Sequence, residues 1–286
     1  MENFREIYNN SGFIPSPKDD RDYKLDKLVK SAVKLPHEYL NTTTPIIFDQ
    51  GESSTCVGCA LAQAKHLIEY KQLQDKGKFS PLYIYSHRHD DDYQGEGMIT
   101  REALKSLKDF GMCHYADFPG FYSFKDGKAL YELDKENLDK KAYPYRISSY
   151  YRLHNINDIK TAIFTLGFAL VAYDVYPCMY QPDESGKIIY DKNNPGECDG
   201  GHQMIALGWD DYGLIVCNSW SEDYGVGIEE NNTNGGMIFI PYDYKPTEAW
   251  ACTDEIREKE VQTMCSSSIF SRIRRFFYRL YLKIKP

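Results

Sequence analysis

The sequence predicts an α+β protein of two lobes, a helical one followed by a sheet-rich one, and three observations carry that prediction. Apolar residues recur at helical spacing from Cys56 onward and again after Thr100. From residue 167 they come instead in short runs bounded by Gly, Asp and Asn, the punctuation of strands and tight turns. A chain of 286 residues, 42% of them hydrophobic, is long enough to bury a core between two such lobes.

Residues 1–34 are polar and turn-rich, and Ser16-Pro17-Lys18-Asp19-Asp20-Arg21-Asp22 shows neither helical nor strand period, so an extended arm is expected there. Residues 35–250 form the expected main domain, with a helical lobe at about 50–145 and a β-rich lobe at about 146–250. Val57, Ala60, Leu61, Ala64, Leu67 and Ile68 mark a helix from Cys56 to about Gln74, which Ser54 or Thr55 could cap. A second helix runs over Thr100 to Phe110, with Ala103, Leu104 and Leu107 on one face and Gly111 closing it. Asn157 to Thr165 is a third. Strands are expected at 167–175, 203–209, 214–218 and 236–240, and helices first with antiparallel strands later leave a cleft between the lobes as the natural substrate site. In the tail, 251–286, apolar residues from Ile269 to Ile284 recur at helical spacing among Arg272, Arg274, Arg275, Arg279, Lys283 and Lys285. Such a basic amphipathic helix suits a membrane surface, a partner's groove or the chain's own acidic surface.

A formal charge of -8 and a pI near 5.4 argue against a nucleic-acid partner, because phosphate contacts need a basic face. Met1 to Glu6 lacks a basic start followed by an apolar run, and no apolar stretch reaches the roughly 18 residues a membrane span needs. Eight cysteines in so long a chain do not read as a disulfide framework, so reduced thiols in a cytoplasm are expected, with peripheral membrane association through the tail.

Chemistry concentrates in three segments. Cys56 stands where a helix begins, and free N–H groups with the helix dipole favour its thiolate; the competing reading is a small buried apolar residue. Gln50 lies six residues upstream, where its amide could donate to the same oxyanion as the Cys56 N–H. His202 follows two glycines, and a hairpin turning at Asp210-Asp211-Tyr212-Gly213 would bring it near Asn218. The Asn218 amide oxygen would then hold one imidazole nitrogen and leave the other for Cys56, while Trp220 shields that bond from water. His87 and His89 with Asp90, Asp91 and Asp92 could bind a metal, but a solvated polar loop explains them equally well, and no zinc or other cofactor is expected.

Asp49-Gln50-Gly51 followed by Cys56, Gly201-His202, and Asn218-Ser219-Trp220 resemble the papain-like cysteine peptidases over roughly Leu35 to Tyr244. The resemblance implies a papain-like two-lobed fold with a barrel-like antiparallel second lobe and the active site in the cleft. It implies Cys56 as nucleophile, His202 as general base and acid, Asn218 as orienter and Gln50 as oxyanion donor, acting on a peptide or protein through a thioester. Gln94-Gly95-Glu96-Gly97 resembles the family's glycine strip, which makes Gly95 and Gly97, with Trp220, the substrate-binding residues. Departures are clear: Ser53 stands where the family has a structural cysteine, and Val57 replaces the tryptophan after the nucleophile. Cys59 completes a Cys-x-x-Cys and is a rival nucleophile or redox partner. The arm before Leu35 is too short to resemble the long inhibitory propeptide of lysosomal relatives, and Gly12-Phe13-Ile14-Pro15 resembles the short lead-in of bacterial members. The same triad would also serve an acyl-transferring or deamidating enzyme, and the fold alone a peptide-binding protein without turnover.

Overall fold

In the computed structural model, which describes residues 4–8, 12–25, 33–89 and 95–254, the arm carries a single helical turn, α1 (Phe4–Ile7), and a two-residue strand, β1 (Phe13–Ile14). The pair β2 (Tyr39–Leu40) leads to α2 (Cys56–Leu73), which is buried on every side from Cys56 to Glu69 because it packs on a second helix, α3 (Pro81–Ser86), and on the sheet. Burial extends to Lys65, whose ammonium is matched by Glu69 at 2.7 Å and Asp254 at 2.6 Å; an unpaired charge there would cost several kcal/mol. Gln74 ends α2 in the left-handed conformation at φ 56°, one residue past the last helical position.

The short β3 (Met98–Ile99) runs directly into α4 (Thr100–Asp109), closed by Gly111 at φ 85°. Then come α5 (Phe124–Leu133) and α6 (Lys135–Ala142). Three of these helices, α3, α5 and α6, lie outside the sequence expectation. Pro81-Leu-Tyr-Ile-Tyr has the composition of a strand, yet Ser80 accepts the Tyr83 N–H and proline occupies the first helical position, which starts a helix instead.

The second half supplies six strands of a seven-stranded antiparallel sheet, β4 (Ser149–Arg152), β5 (Ala169–Asp174), β6 (Gly201–Trp209), β7 (Gly213–Cys217), β8 (Met237–Pro241) and β9 (Glu248–Thr253). Their order is β4-β9-β5-β6-β7-β8, and β2 adds to β6. The helix α7 (Ile156–Leu166), capped by Asn155 and ended by Gly167, packs across β5, β6 and β9. Because β9 runs between β4 and β5 as far as Thr253, the sheet continues past the expected domain edge at residue 250. The tail with its basic amphipathic pattern lies outside the described residues. The seven described cysteines are free thiols, and among the described residues no helix is long and apolar enough to cross a membrane.

The arm differs most from expectation. Phe13 and Leu25 are buried with the core, and Ser16 donates from its N–H and hydroxyl to Glu248 at 2.8 and 2.6 Å. Arg101 bonds Asp22 at 2.8 Å, and Arg152 bonds Glu248 at 3.2 Å. An unpatterned polar sequence is what such an ion-paired segment looks like when its partners lie elsewhere in the chain.

Candidate active site

Helix α2 places Cys56 at its first position, with Thr55, one of the two expected caps, before it. Thr55 occupies the N-cap without a side-chain cap bond; its hydroxyl instead meets Ser53 Oγ at 2.7 Å and Cys59 Sγ at 3.9 Å. The N–H groups of Cys56 and Val57 are thereby left to act on the Cys56 sulfur. A third N–H comes from Gln203, the residue after His202, so helix tip and strand β6 meet at that sulfur.

On the sheet side, β6 and β7 pair with Ile205 opposite Cys217, and a bulge near Ala206 and Gly208 increases the local twist. Just beyond the paired stretch, His202 Nε2 lies 2.7 Å from Asn218 Oδ1, and the Ser219 N–H donates to the same oxygen at 2.6 Å. An amide oxygen only accepts, so Nε2 carries the imidazole proton and Nδ1 keeps its lone pair. Trp220 stacks on the imidazole with ring centroids 4.6 Å apart, and Tyr180 stacks on Trp220 at 5.3 Å.

Gln50 is buried, and its side chain is held at both ends. Ser219 Oγ donates to Oε1 at 2.7 Å, while Nε2 donates to the Ser53 carbonyl at 2.8 Å and retains a second hydrogen. Ser219 thus ties Gln50 to Asn218, a link that sequence reasoning did not find, although Asn218-Ser219-Trp220 was in view. Cys59 sits one turn deeper along α2, buried beside Thr55, with its thiol pushed above the ordinary range by that burial.

Burial also dominates at the centre. It pushes the Cys56 thiol up to about 11, against the backbone N–H groups of Gln203, Gly12, Val57 and Cys56. It pushes His202 down to about 4, against the Asn218 hydrogen bond. Burial thus disfavours the charged form of both sulfur and imidazole, and the arm contributes to that burial. Phe13 and Ile14 pair in parallel with Met98 and Ile99, and Met98 N–H donates to Gly12 O at 2.8 Å. The approach is close: a Cβ on Gly12 would lie 2.1 Å from Ser54 O, and one on Gly201 would lie 2.5 Å from the Phe13 ring. Upstream, Tyr8 stacks on Trp220 at 5.4 Å and donates to Asp49 at 2.8 Å, while Arg5 pairs with Asp199 at 2.9 Å.

In the glycine strip, the Gly97 N–H bonds the Tyr85 hydroxyl at 2.9 Å and its carbonyl accepts from Arg88, and the strand edge that pairs with the arm is Met98. Gly95 is exposed, with φ 115°. His87 turns to Asp139 at 3.2 Å, Asp90 to Asp92 lie outside the described residues, and among the described residues no three ligating side chains cluster.

Comparison with solved structures shows a papain-like fold. Xylellain, a cysteine protease from Xylella fastidiosa, superposes with a TM-score of 0.70 at 22% identity, over 87% of this chain and 97% of that one. Digestive procathepsin L 3 of Tenebrio molitor larval midgut gives 0.63 at 18%, over 86% and 77%. Procathepsin B S9 from Trypanosoma congolense gives 0.61 at 17%, over 88% of each chain. No family model and no curated protein sequence matches the chain.

Proposed function

We propose that the chain is a cysteine peptidase acting through Cys56, His202, Asn218 and Gln50. The observation that supports this reading is the 2.7 Å bond from His202 Nε2 to Asn218 Oδ1, which leaves Nδ1 with a lone pair to act as base, on the strand whose next residue, Gln203, acts on the Cys56 sulfur through its N–H. Nδ1 takes the thiol proton as the sulfur attacks a peptide carbonyl, and the resulting oxyanion accepts from the Cys56 N–H and the second hydrogen of Gln50 Nε2. The imidazolium returns its proton to the departing amine as the C–N bond breaks. Water then attacks the thioester carbonyl with His202 as base, releasing the acid and the thiol. No step calls on a metal or cofactor.

The departing amine lies next to His202, so the leaving half of a substrate extends toward Trp220 and the acyl half along Met98. The arm runs the other way, from Tyr8 at Trp220 to Phe13 at Met98. The described ends of the arm therefore run opposite to a substrate, and turnover requires Gly12 and Phe13 to move off.

A fluorogenic dipeptidyl amide tests the reading. The full chain should release the fluorophore and Cys56→Ala should not, with a competing free amine leaving the yield of free acid unchanged. Amine incorporation in place of hydrolysis would mean acyl transfer, and equal alkylation of all cysteines with no turnover would mean a binding protein.

A further inference from the structure

A cavity of about 760 Å³ opens at the turn from Asp49 to Ser54 that leads into Cys56, and Glu96, Phe121, Tyr122 and Ser123 complete its lining. Its place in the cleft follows from Gly12, whose N–H acts on the Cys56 sulfur and whose Cβ, if present, would strike the Ser54 carbonyl at this wall. On the peptidase reading, the Glu96 end of the cavity is the acyl side of the scissile bond, because Glu96 stands two residues before Met98, while Asp49 at the other end bridges to Trp220 on the leaving side.

The cavity is charged in one sense. Asp49, Glu52 and Glu96 line it, and among the described residues no lysine, arginine or histidine does. Glu96 is fixed in place, accepting from the Tyr85 hydroxyl at 2.6 Å and the Phe124 N–H at 3.0 Å. Asp49 accepts from the Tyr8 hydroxyl at 2.8 Å and the Gly51 N–H at 3.0 Å. All four donors are neutral, so they orient the carboxylates without cancelling their charge. The buried Arg88 is directed elsewhere, to the Gly97 carbonyl and the face of Phe124 at 3.8 Å. Phe121 and Tyr122 add aromatic faces, and the Tyr122 ring is seated over Gly120, where a Cβ would lie 2.5 Å from it. Fixed carboxylates beside aromatic faces attract a cation on a long apolar stem.

We propose that this cavity receives the side chain of the residue whose carbonyl Cys56 attacks, and that Glu52 and Glu96 make the enzyme prefer lysine or arginine there. The proposal rests on the peptidase reading for the placement of the peptide. Both carboxylates face solvent, where ion pairs are screened, so the preference is about tenfold rather than a thousandfold.

The test uses the full chain and a set of peptidyl amides differing only at the residue before the scissile bond, with arginine, its neutral isostere citrulline, and glutamate. The kcat/KM for arginine should exceed that for citrulline about tenfold and that for glutamate by more. The ratio should fall to about one in a Glu52→Gln, Glu96→Gln double variant, which keeps an acceptor for Tyr85 and Phe124. Equilibrium binding of the same peptides to Cys56→Ala measures selectivity without turnover. If no peptide is hydrolysed but the binding ratio persists, the peptidase reading falls and the cation pocket stands. Equal affinity for arginine and citrulline, or no binding of either, overturns the pocket.

Discussion

Cys56 and Cys59 stand one turn apart on the same helix, both fully buried, and their surroundings differ in kind. Backbone N–H groups from three segments, Gly12, Gln203 and the helix start, act on the Cys56 sulfur. Cys59 has the Thr55 and Ser219 hydroxyls instead, and burial is the largest influence on both sulfurs. A sulfur encircled by N–H groups is poised to carry negative charge once water or an imidazolium reaches it, and one among hydroxyls in a core is not. The comparison teaches that position at a helix end matters less than which other segments converge there.

The largest effect should separate the two thiols outright. Cys56→Ala is expected to lower kcat/KM at least a thousandfold, and Cys59→Ala to change it by no more than about threefold, as for a nucleophile against a packing residue. Should Cys59→Ala be the inactive variant, the assignment reverses.

Next comes the arm, which touches Cys56 and not Cys59. Gly12→Ala would place a methyl against the Ser54 backbone carbonyl, so the arm must move off while the body keeps all its own side chains. Burial penalises the charged form of each partner, so admitting water lowers the Cys56 pKa from about 11 and raises that of His202 from about 4. The two shifts converge on a thiolate–imidazolium pair. Iodoacetamide at pH 7.5 should therefore alkylate Cys56 about tenfold faster or more in Gly12→Ala, with Cys59 unchanged, as read by peptide mass mapping. In the unaltered chain, the rate should be lower and should still be rising with pH above 9, since burial holds the Cys56 pKa up. An unchanged Cys56 rate in the variant would show that the arm does not govern the thiol.

Asn218→Ala should act on the imidazole and through it on Cys56 alone. Loss of the 2.7 Å bond frees the ring to rotate and removes the one interaction that raises its pKa, so kcat should fall about ten- to a hundredfold with KM nearly constant. A change confined to KM would mean that Asn218 shapes substrate binding instead.

These expectations were unevenly legible in the sequence. Helix α2 could be read from its apolar spacing, and the pairing of His202 with Asn218 from the Asp210 to Gly213 turn, because both are local patterns with few alternatives. Helix α3 could have been read from Ser80-Pro81, but its Leu-Tyr-Ile-Tyr composition points to a strand and hides the signal. The arm was illegible for another reason. Its contacts to Glu248, Arg101 and Arg152 join residues far apart in sequence, and no period in residues 12–22 reports on a partner that distant. The cavity at the turn leading into Cys56 is of the same kind, since Glu52 and Glu96 become neighbours only when the chain folds.

The smallest effect belongs to Ser219, which holds Gln50 through its hydroxyl and Asn218 through its N–H. Ser219→Ala deletes the first bond, together with the hydroxyl's contact to the Cys59 sulfur, and leaves the Gln50 carboxamide anchored through Ser53 alone, so kcat should fall about three- to tenfold with KM constant and stability by about 1 kcal/mol. Threonine keeps the hydroxyl, and Ser219→Thr should restore both. A drop in melting temperature without a change in kcat would make Ser219 a brace between the two walls with no part in aiming Gln50. A drop in kcat that threonine repairs would make the Gln50 amide, like the Cys56 sulfur, a group whose role is set by what the far half of the chain brings to it.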